Sequence, residues 1–295
     1  LSQAGIYWLQ QVLNALQLGS IYALIALGYS MVYGILTMIN FAHGDVFMVG
    51  AFLCFLAATL LDLPFVPTLL LTMTGAALLG VLIERMAYKP LRNAPRVSAI
   101  ITALGVGLFL ENLMLAIYPY PQNVPTLLEN VNWNFGGVSL SSLQLLIIAL
   151  SLGLMLVLDY VVQRTPVGMA MRAISWDKTY VPLMGIPVDL IISITFAIGA
   201  ALAGAAGTLY ALAYPVIDPY MGIMVGWKAF IAAVVGGIGN MRGAMIGAFI
   251  LGGVEIMVVA VLPSTYRDLV VFSLLLALIV ICPHGILGQP RVQKV

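Results

Sequence analysis
The chain has 295 residues, of which 62% are hydrophobic and only 8% charged, with a formal net charge of +1. A soluble globular chain carries roughly a quarter charged residues, so there are too few here to cover a water-soluble particle and most of the surface must face lipid. The near-neutral balance excludes a nucleic-acid partner, which needs a clustered basic face. Cys54 and Cys282 lie far apart in apolar runs, and with His43 and His284 the only histidines there is no Cys/His ligand cluster for a metal.

A membrane-crossing helix needs about 20 apolar residues. The first such segment spans 9–33, and no charge precedes Asp45, so nothing resembles the charged start of a cleavable signal peptide. Asn40, His43 and Asp45 follow within six positions, flanked by Gly34 and Gly44. At membrane depth an unpartnered polar group costs several kcal/mol. These three therefore belong either to a discontinuous helix lining a translocation path or gate, or to a surface turn with Asp45 capping the next helix.

Segments 46–61 and 67–83 come next, then a loop carrying Arg85, Lys89, Arg92 and Arg96. Segment 97–118 contains Glu111-Asn112, which either lines the path or forms a polar pair at a helix end. From 111 to 159 there is no basic residue. The loop 118–138, rich in turn formers (Pro119, Pro121, Pro125, Gly136, Gly137), is expected outside as an ordered lid or short surface helix. Segment 139–158 leads into a second basic loop with Arg164, Arg172 and Lys178. Positive charge marks the cytoplasmic side, so both basic loops and the C-terminus with Arg291 and Lys294 are placed there.

Within that second loop, Thr165-Pro166 reads as a helix N-cap and first position. Gly168, Arg172, Ala173 and Asp177 then lead to a stop at Gly185-Ile186-Pro187. A short two-sided helix on the cytoplasmic face either lies on lipid or docks a cytoplasmic partner. Segments 190–212, 227–235, 244–262 and 269–281 complete eight or nine membrane segments, the count turning on whether 227–235 continues through 236–240. Gly236-Gly237-Ile238-Gly239-Asn240 lacks the ending of a phosphate-binding P-loop and is read as a helix break or close approach, with Asn240 on the path. Glu255 is an isolated acid expected to face the bundle interior. Trp8, Tyr118, Tyr120, Trp133, Tyr214, Tyr220, Trp227 and Tyr266 read as interface anchors. Met48–Phe52 is echoed by Met245–Phe249, each after an Asn and a Gly, which points to an internal repeat. The expected fold is one all-α polytopic domain over 1–295.

Leu18-Gly19-Ser20-Ile21-Tyr22, Ile39-Asn40-Phe41-Ala42-His43-Gly44-Asp45, Gly236–Asn240 with Gly243–Gly247, and the tail Gly285–Gly288 with Pro290 together resemble the LivH-type permease subunits of branched-chain amino acid ABC importers, nearly end to end. The resemblance implies a bacterial inner-membrane protein paired with a related second permease. It also implies two cytoplasmic ATPase subunits that hold the ATP, and a periplasmic binding protein that delivers leucine, isoleucine or valine. No cofactor is expected on this chain. It further implies that the loop helix around Arg172 to Gly185 docks on the ATPase, although Val181-Pro182 replaces small residues usual there and Pro182 should shorten that helix. Related permeases carry urea and short amides, so another small amino acid or an amide remains open as substrate. An autonomous secondary transporter is the other class; its coupling acids would be Asp45, Glu111 and Glu255.

Overall fold
The computed structural model describes residues 2–92, 94–282 and 284–288, which places Pro290, Arg291 and Lys294 outside the described residues. The helices are α1 Gln3–Leu36, α2 His43–Thr59, α3 Phe65–Ile83, α4 Arg96–Ile117, α5 Ser142–Arg164, α6 Pro166–Trp176, α7 Val188–Ala213, α8 Met221–Gly236, α9 Met241–Val261 and α10 Tyr266–Ile281. Each of the nine apolar segments read from the sequence falls on one of them, and α6 is the helix expected in the second basic loop. Six (α1, α3 with the turns that extend it, α4, α5, α7 and α9) are long and apolar enough to cross a membrane, while α2 and α8 are shorter apolar helices. The protein is a multi-pass membrane bundle.

Composition sets which helices are central. α1 is apolar on every side from Leu18 to Val32 and is buried throughout that stretch, as expected of a helix without a polar face. α7 carries the small-residue run Gly199–Gly207 and is likewise interior. A Cβ on Gly50 of α2 would stand 2.7 Å from Gly204 Cα, so α2 and α7 touch backbone to backbone, the close approach that small residues permit between membrane helices. α4 and α5 expose Leu108, Phe109, Leu156 and Val157 on the outside of the bundle.

The two ends differ in chemistry. At one end the 118–141 stretch forms strands rather than the surface helix considered above. Asn132–Phe135 (β2) pairs antiparallel with Val138–Ser141 (β3), and Gln122–Asn123 (β1) pairs with Val216–Ile217 (β4). Gly136 and Gly137 at φ 59° and 98° supply the two-residue turn that favours a hairpin over a helix. The hairpin rests on the start of α1: the Ser139 amide donates to Gln10 Oε1 at 3.0 Å. The start of α1 therefore lies at the end opposite to Lys89, Arg92 and Lys178. α1 runs toward that basic end and α7 runs away from it.

α1 and α7 are each followed by a non-helical stretch, 37–42 and 214–220, and then by a short helix. α1 packs along α9 and α3 along α7, the two most extensive pairs; α2 meets α7, and α8 meets α1. Exchanging α1–α2–α3 with α7–α8–α9 maps interface onto interface with direction reversed, the signature of an inverted repeat. The register differs from the sequence echo. Met48–Phe52 lies in α2 and Met245–Phe249 in α9, whereas packing pairs α2 with α8. The echo reflects two helix starts after Asn/Gly breaks.

Candidate functional site
α1 ends because Thr37 takes a left-handed conformation (φ 55°). The chain then crosses 37–42 without helix and restarts as α2 inside the bundle. Leftover groups find partners on both sides of this break. Lys178 Nζ donates to Leu36 O at 3.0 Å, setting a cation on the final carbonyls of α1 where the helix dipole favours it. Tyr88 Oη donates to Asn40 Oδ1 at 3.0 Å, reaching from a π-helical turn over Glu84–Tyr88. His43 is buried beneath Tyr29, with ring centroids 4.9 Å apart and nearly perpendicular.

Beside the restart, α2 crosses α8 with no room for side chains: a Cβ on Gly44 would meet Gly222 O at 2.4 Å, and one on Gly222 would meet Gly44 O at 2.9 Å. This crossing carries Asp45 into a cleft of about 140 Å³ walled by α1, α2, α4 and α8. Cavities of about 150 Å³ accept a benzene-sized solute. α2 starts from Ala42, which offers no side-chain cap, and Asp45 lies in its first turn. Its carboxylate is wedged between Gly107 of α4, where a Cβ would stand 2.4 Å from Oδ2, and Gly222 of α8. Asp45 Oδ1 is buried with no hydrogen-bond partner among the described residues. Glu111, one turn beyond Gly107, lines the same cleft and is 6% exposed. Neither acid has an ion pair among the described residues. The remaining wall is aromatic and aliphatic: Tyr29, Phe41, Trp227, Leu104, Leu108 and Ile223.

A second polar cluster lies apart from the cleft, where α1, α8, α9 and α10 meet. Glu255, 1% exposed, receives a hydrogen bond from Tyr22 Oη at 2.8 Å and pairs with Lys228 Nζ at 2.7 Å and Arg267 Nε at 3.1 Å. Lys228 also pairs with Asp268 at 2.9 Å. Two cations and two anions cancel: the buried Lys228–Glu255 pair is balanced together with its half-exposed partners Arg267 and Asp268.

At the basic end, buried Glu84 binds Arg92 and accepts from Ser193 Oγ at 2.7 Å, while Lys89 and Arg92 both pair with Asp189 at the start of α7. The adjoining α6 is fixed on its own terms. Thr165 Oγ1 caps it by accepting from the Gly168 amide at 3.2 Å. Gly168 lies so close to α5 that a Cβ would meet Val162 O at 2.2 Å, and the Arg172 guanidinium bonds that same carbonyl. Ala173 packs on the core, and Asp177 accepts from the Thr179 amide at 2.8 Å just after the helix ends. Gly185, at φ 77°, closes a separate 3₁₀ turn over Val181–Met184. Met169, Trp176, Tyr180, Leu183 and Met184 project outward from this unit, each more than 60% exposed.

Residues 11–280 match the model of the branched-chain amino acid transport system / permease component family. The chain belongs to this family. It is 44% identical to the high-affinity branched-chain amino acid transport system permease protein BraD of Pseudomonas aeruginosa, over 98% of both chains. It is 42% identical to the corresponding LivH of Escherichia coli over the whole of both. A LivH protein of Methanocaldococcus jannaschii is 29% identical over 93% of this chain and 91% of its own.

In this permease the residues singled out from the sequence separate into groups. Asp45 and Glu111 meet in the cleft, with Asn40 and His43 at the break beside it. Asn112 does not join them: it is exposed, and its side-chain amide donates to Leu108 O one turn back at 2.7 Å. Asn240 also stands elsewhere, capping α9 by accepting from the Gly243 amide at 3.2 Å and donating to Leu287 O at 2.9 Å. The helix in the second basic loop has 11 residues, ending before Pro182, which lies instead in the first half of the 3₁₀ turn. Lys228, Arg267, Asp268 and Glu84 escaped sequence reading. Lys228 carried the available signal, a lone cation between Trp227 and an apolar run. Trp227 itself walls the cleft.

Proposed function
We propose that this chain is one permease half of an ATP-driven importer for leucine, isoleucine and valine in a bacterial inner membrane. A related permease forms the other half, two cytoplasmic ATPase subunits supply the energy, and a periplasmic binding protein delivers the amino acid. The family membership and the branched-chain amino acid transport named for the 42–44% identical relatives support the substrate class. The concentration of Lys and Arg at one end supports placing that end in the cytoplasm.

The observation that carries the assignment is α6 with its 3₁₀ extension. The chain has no P-loop, so energy must arrive through contact, and this unit is a braced handle with an outward apolar face at the basic end. A push on it reaches α5 through Arg172 and Val162, and reaches the α1–α2 break through Lys178 and Leu36. Rocking one half of the inverted repeat against the other then opens the Asp45 cleft alternately to the two sides.

The test is ATP-dependent uptake of labelled leucine into proteoliposomes containing all partners. Trp176→Glu and Leu183→Glu should release the ATPase subunits and abolish uptake while the permease still elutes as a single folded species. Uptake by this chain alone under an ion gradient would refute the assignment and favour a secondary transporter.

A further inference from the structure
We propose that Asp45 and Glu111 form a binding subsite for the ammonium group of the transported amino acid, with the aliphatic and aromatic wall beside them taking its branched side chain. This deepens the transport assignment above and rests on it.

Four observations converge. The cleft contains two acids from different helices, and neither has an ion pair among the described residues. Asp45 is 7% exposed, and its Oδ1 is an acceptor buried without a donor among the described residues. A buried acceptor left unpaired is costly, and two like charges in a low-dielectric cleft repel, so the arrangement favours a ligand that brings both donors and positive charge. Gly107 and Gly222 hold the Asp45 carboxylate in place from opposite sides, and Glu111 stands about 6 Å farther along α4, one helical turn. A primary ammonium has three donors, enough to bond two carboxylates at once.

The rest of the wall discriminates among cations. Phe41 and Trp227 lie with ring centroids 5.4 Å apart, and Tyr29 completes an aromatic side; aromatic rings attract an ammonium group. Leu104, Leu108 and Ile223 give a three- or four-carbon branched side chain an apolar seat. A small hydrated metal ion would leave that surface unused. The lining residues include no cation to receive the substrate carboxylate, so on this proposal that group stays outside the cleft.

Trp227 provides the readout. The full chain in lipid nanodiscs, with Trp8, Trp133 and Trp176 replaced by Phe, reports on the cleft through Trp227 fluorescence. 3-Methylbutylamine and leucine should both shift it, 4-methylpentanoate should not, and Asp45→Asn or Glu111→Gln should weaken the amine response at least about tenfold, the loss expected for one charge-assisted hydrogen bond. Equal response to the carboxylate, an equal response to sodium ion at the same concentration, or no response to any probe overturns the subsite even if the variants fail to fold. In the assembled importer, undiminished leucine uptake by Asp45→Asn and Glu111→Gln also overturns it while leaving the transport assignment standing. Failure of the wild-type importer to take up leucine removes the transport assignment instead, and the amine response then stands or falls by itself.

Discussion

Replacing Lys228 with Met tests whether the buried charge cluster is held by balance. Lys228 and Glu255 are 4% and 1% exposed and meet at 2.7 Å. Removing one partner of a fully buried pair costs about 3–5 kcal/mol. Here each survivor keeps a second partner: Glu255 retains Arg267 and Tyr22, and Lys228 retains Asp268. The expected cost of Lys228→Met or Glu255→Gln alone is therefore lower, about 2 kcal/mol, or about 4–8 °C in Tm if this bundle scales as a domain of 150–250 residues. The double variant restores neutrality and should recover most of that loss. Thermal unfolding of purified wild type, both single variants and the double variant gives the coupling directly. If Lys228→Met unfolds at the wild-type temperature, or the two losses simply add, the charges are not held by one another and the balance argument fails.

Three further outcomes follow from the packing. Gly44→Ala drives a methyl group onto Gly222 O and Gly226 Cα, backbone atoms with no side chain to move; it should destabilise by about 1–3 kcal/mol, read by the same thermal assay, with Gly253→Ala as the control because nothing lies within 4 Å of it. Arg92→Met leaves Glu84 buried without its cation, keeping only Ser193; about 3–5 kcal/mol should be lost, and Glu84→Gln in the same chain should recover part of it. Asn240→Ala removes a helix cap and should cost about 1 kcal/mol while leaving the Trp227 response to 3-methylbutylamine unchanged; a weakened response would bring Asn240 back to the path.

The membrane bundle was legible because hydrophobic length is a one-dimensional signal, and every apolar segment became a helix. The interruption around Asn40, which lies at 37–42 with His43 and Asp45 in the first turn of α2, showed for the same reason: three polar residues in an apolar context demand an explanation. What a single sequence does not display is partnership. Glu255 could be placed in the interior, but its partners come from 27 residues before it, 12 after it and the far end of the chain at Tyr22. Asn112 and Asn240 carry the same side chain as Asn40, and only the geometry separates a back-bonded surface amide and a helix cap from a residue at the break. The hairpin lay in the Gly136-Gly137 pair, whose left-handed preference outweighs the proline-rich composition around it.

If the cleft opens as the alternating-access proposal requires, α4 is the wall with the fewest restraints. α1 with α9 and α3 with α7 are the extensive pairs, and α2 is locked to α7 and α8 through glycine backbones. α4 has no comparable anchor; its main neighbours are α2 and the π-helical turn, and its outer side is exposed. Yet α4 carries Gly107 and Glu111, one wall of the cleft, and its first turn follows the Lys89–Arg92 cluster that ties Glu84 to Asp189. Force applied at the basic end thus has a short route into the least restrained wall. Cysteines at Leu104 on α4 and Ile223 on α8, both of which line the cleft, joined by a thiol cross-linker in a chain whose Cys54 and Cys282 are replaced by Ala, should stop leucine uptake while ATP hydrolysis by the assembled complex continues. Cleavage of a reducible linker should restore transport. Uptake that persists with the two helices joined would show that the cleft works without separation of α4 from α8, and the path would have to be sought elsewhere in the bundle.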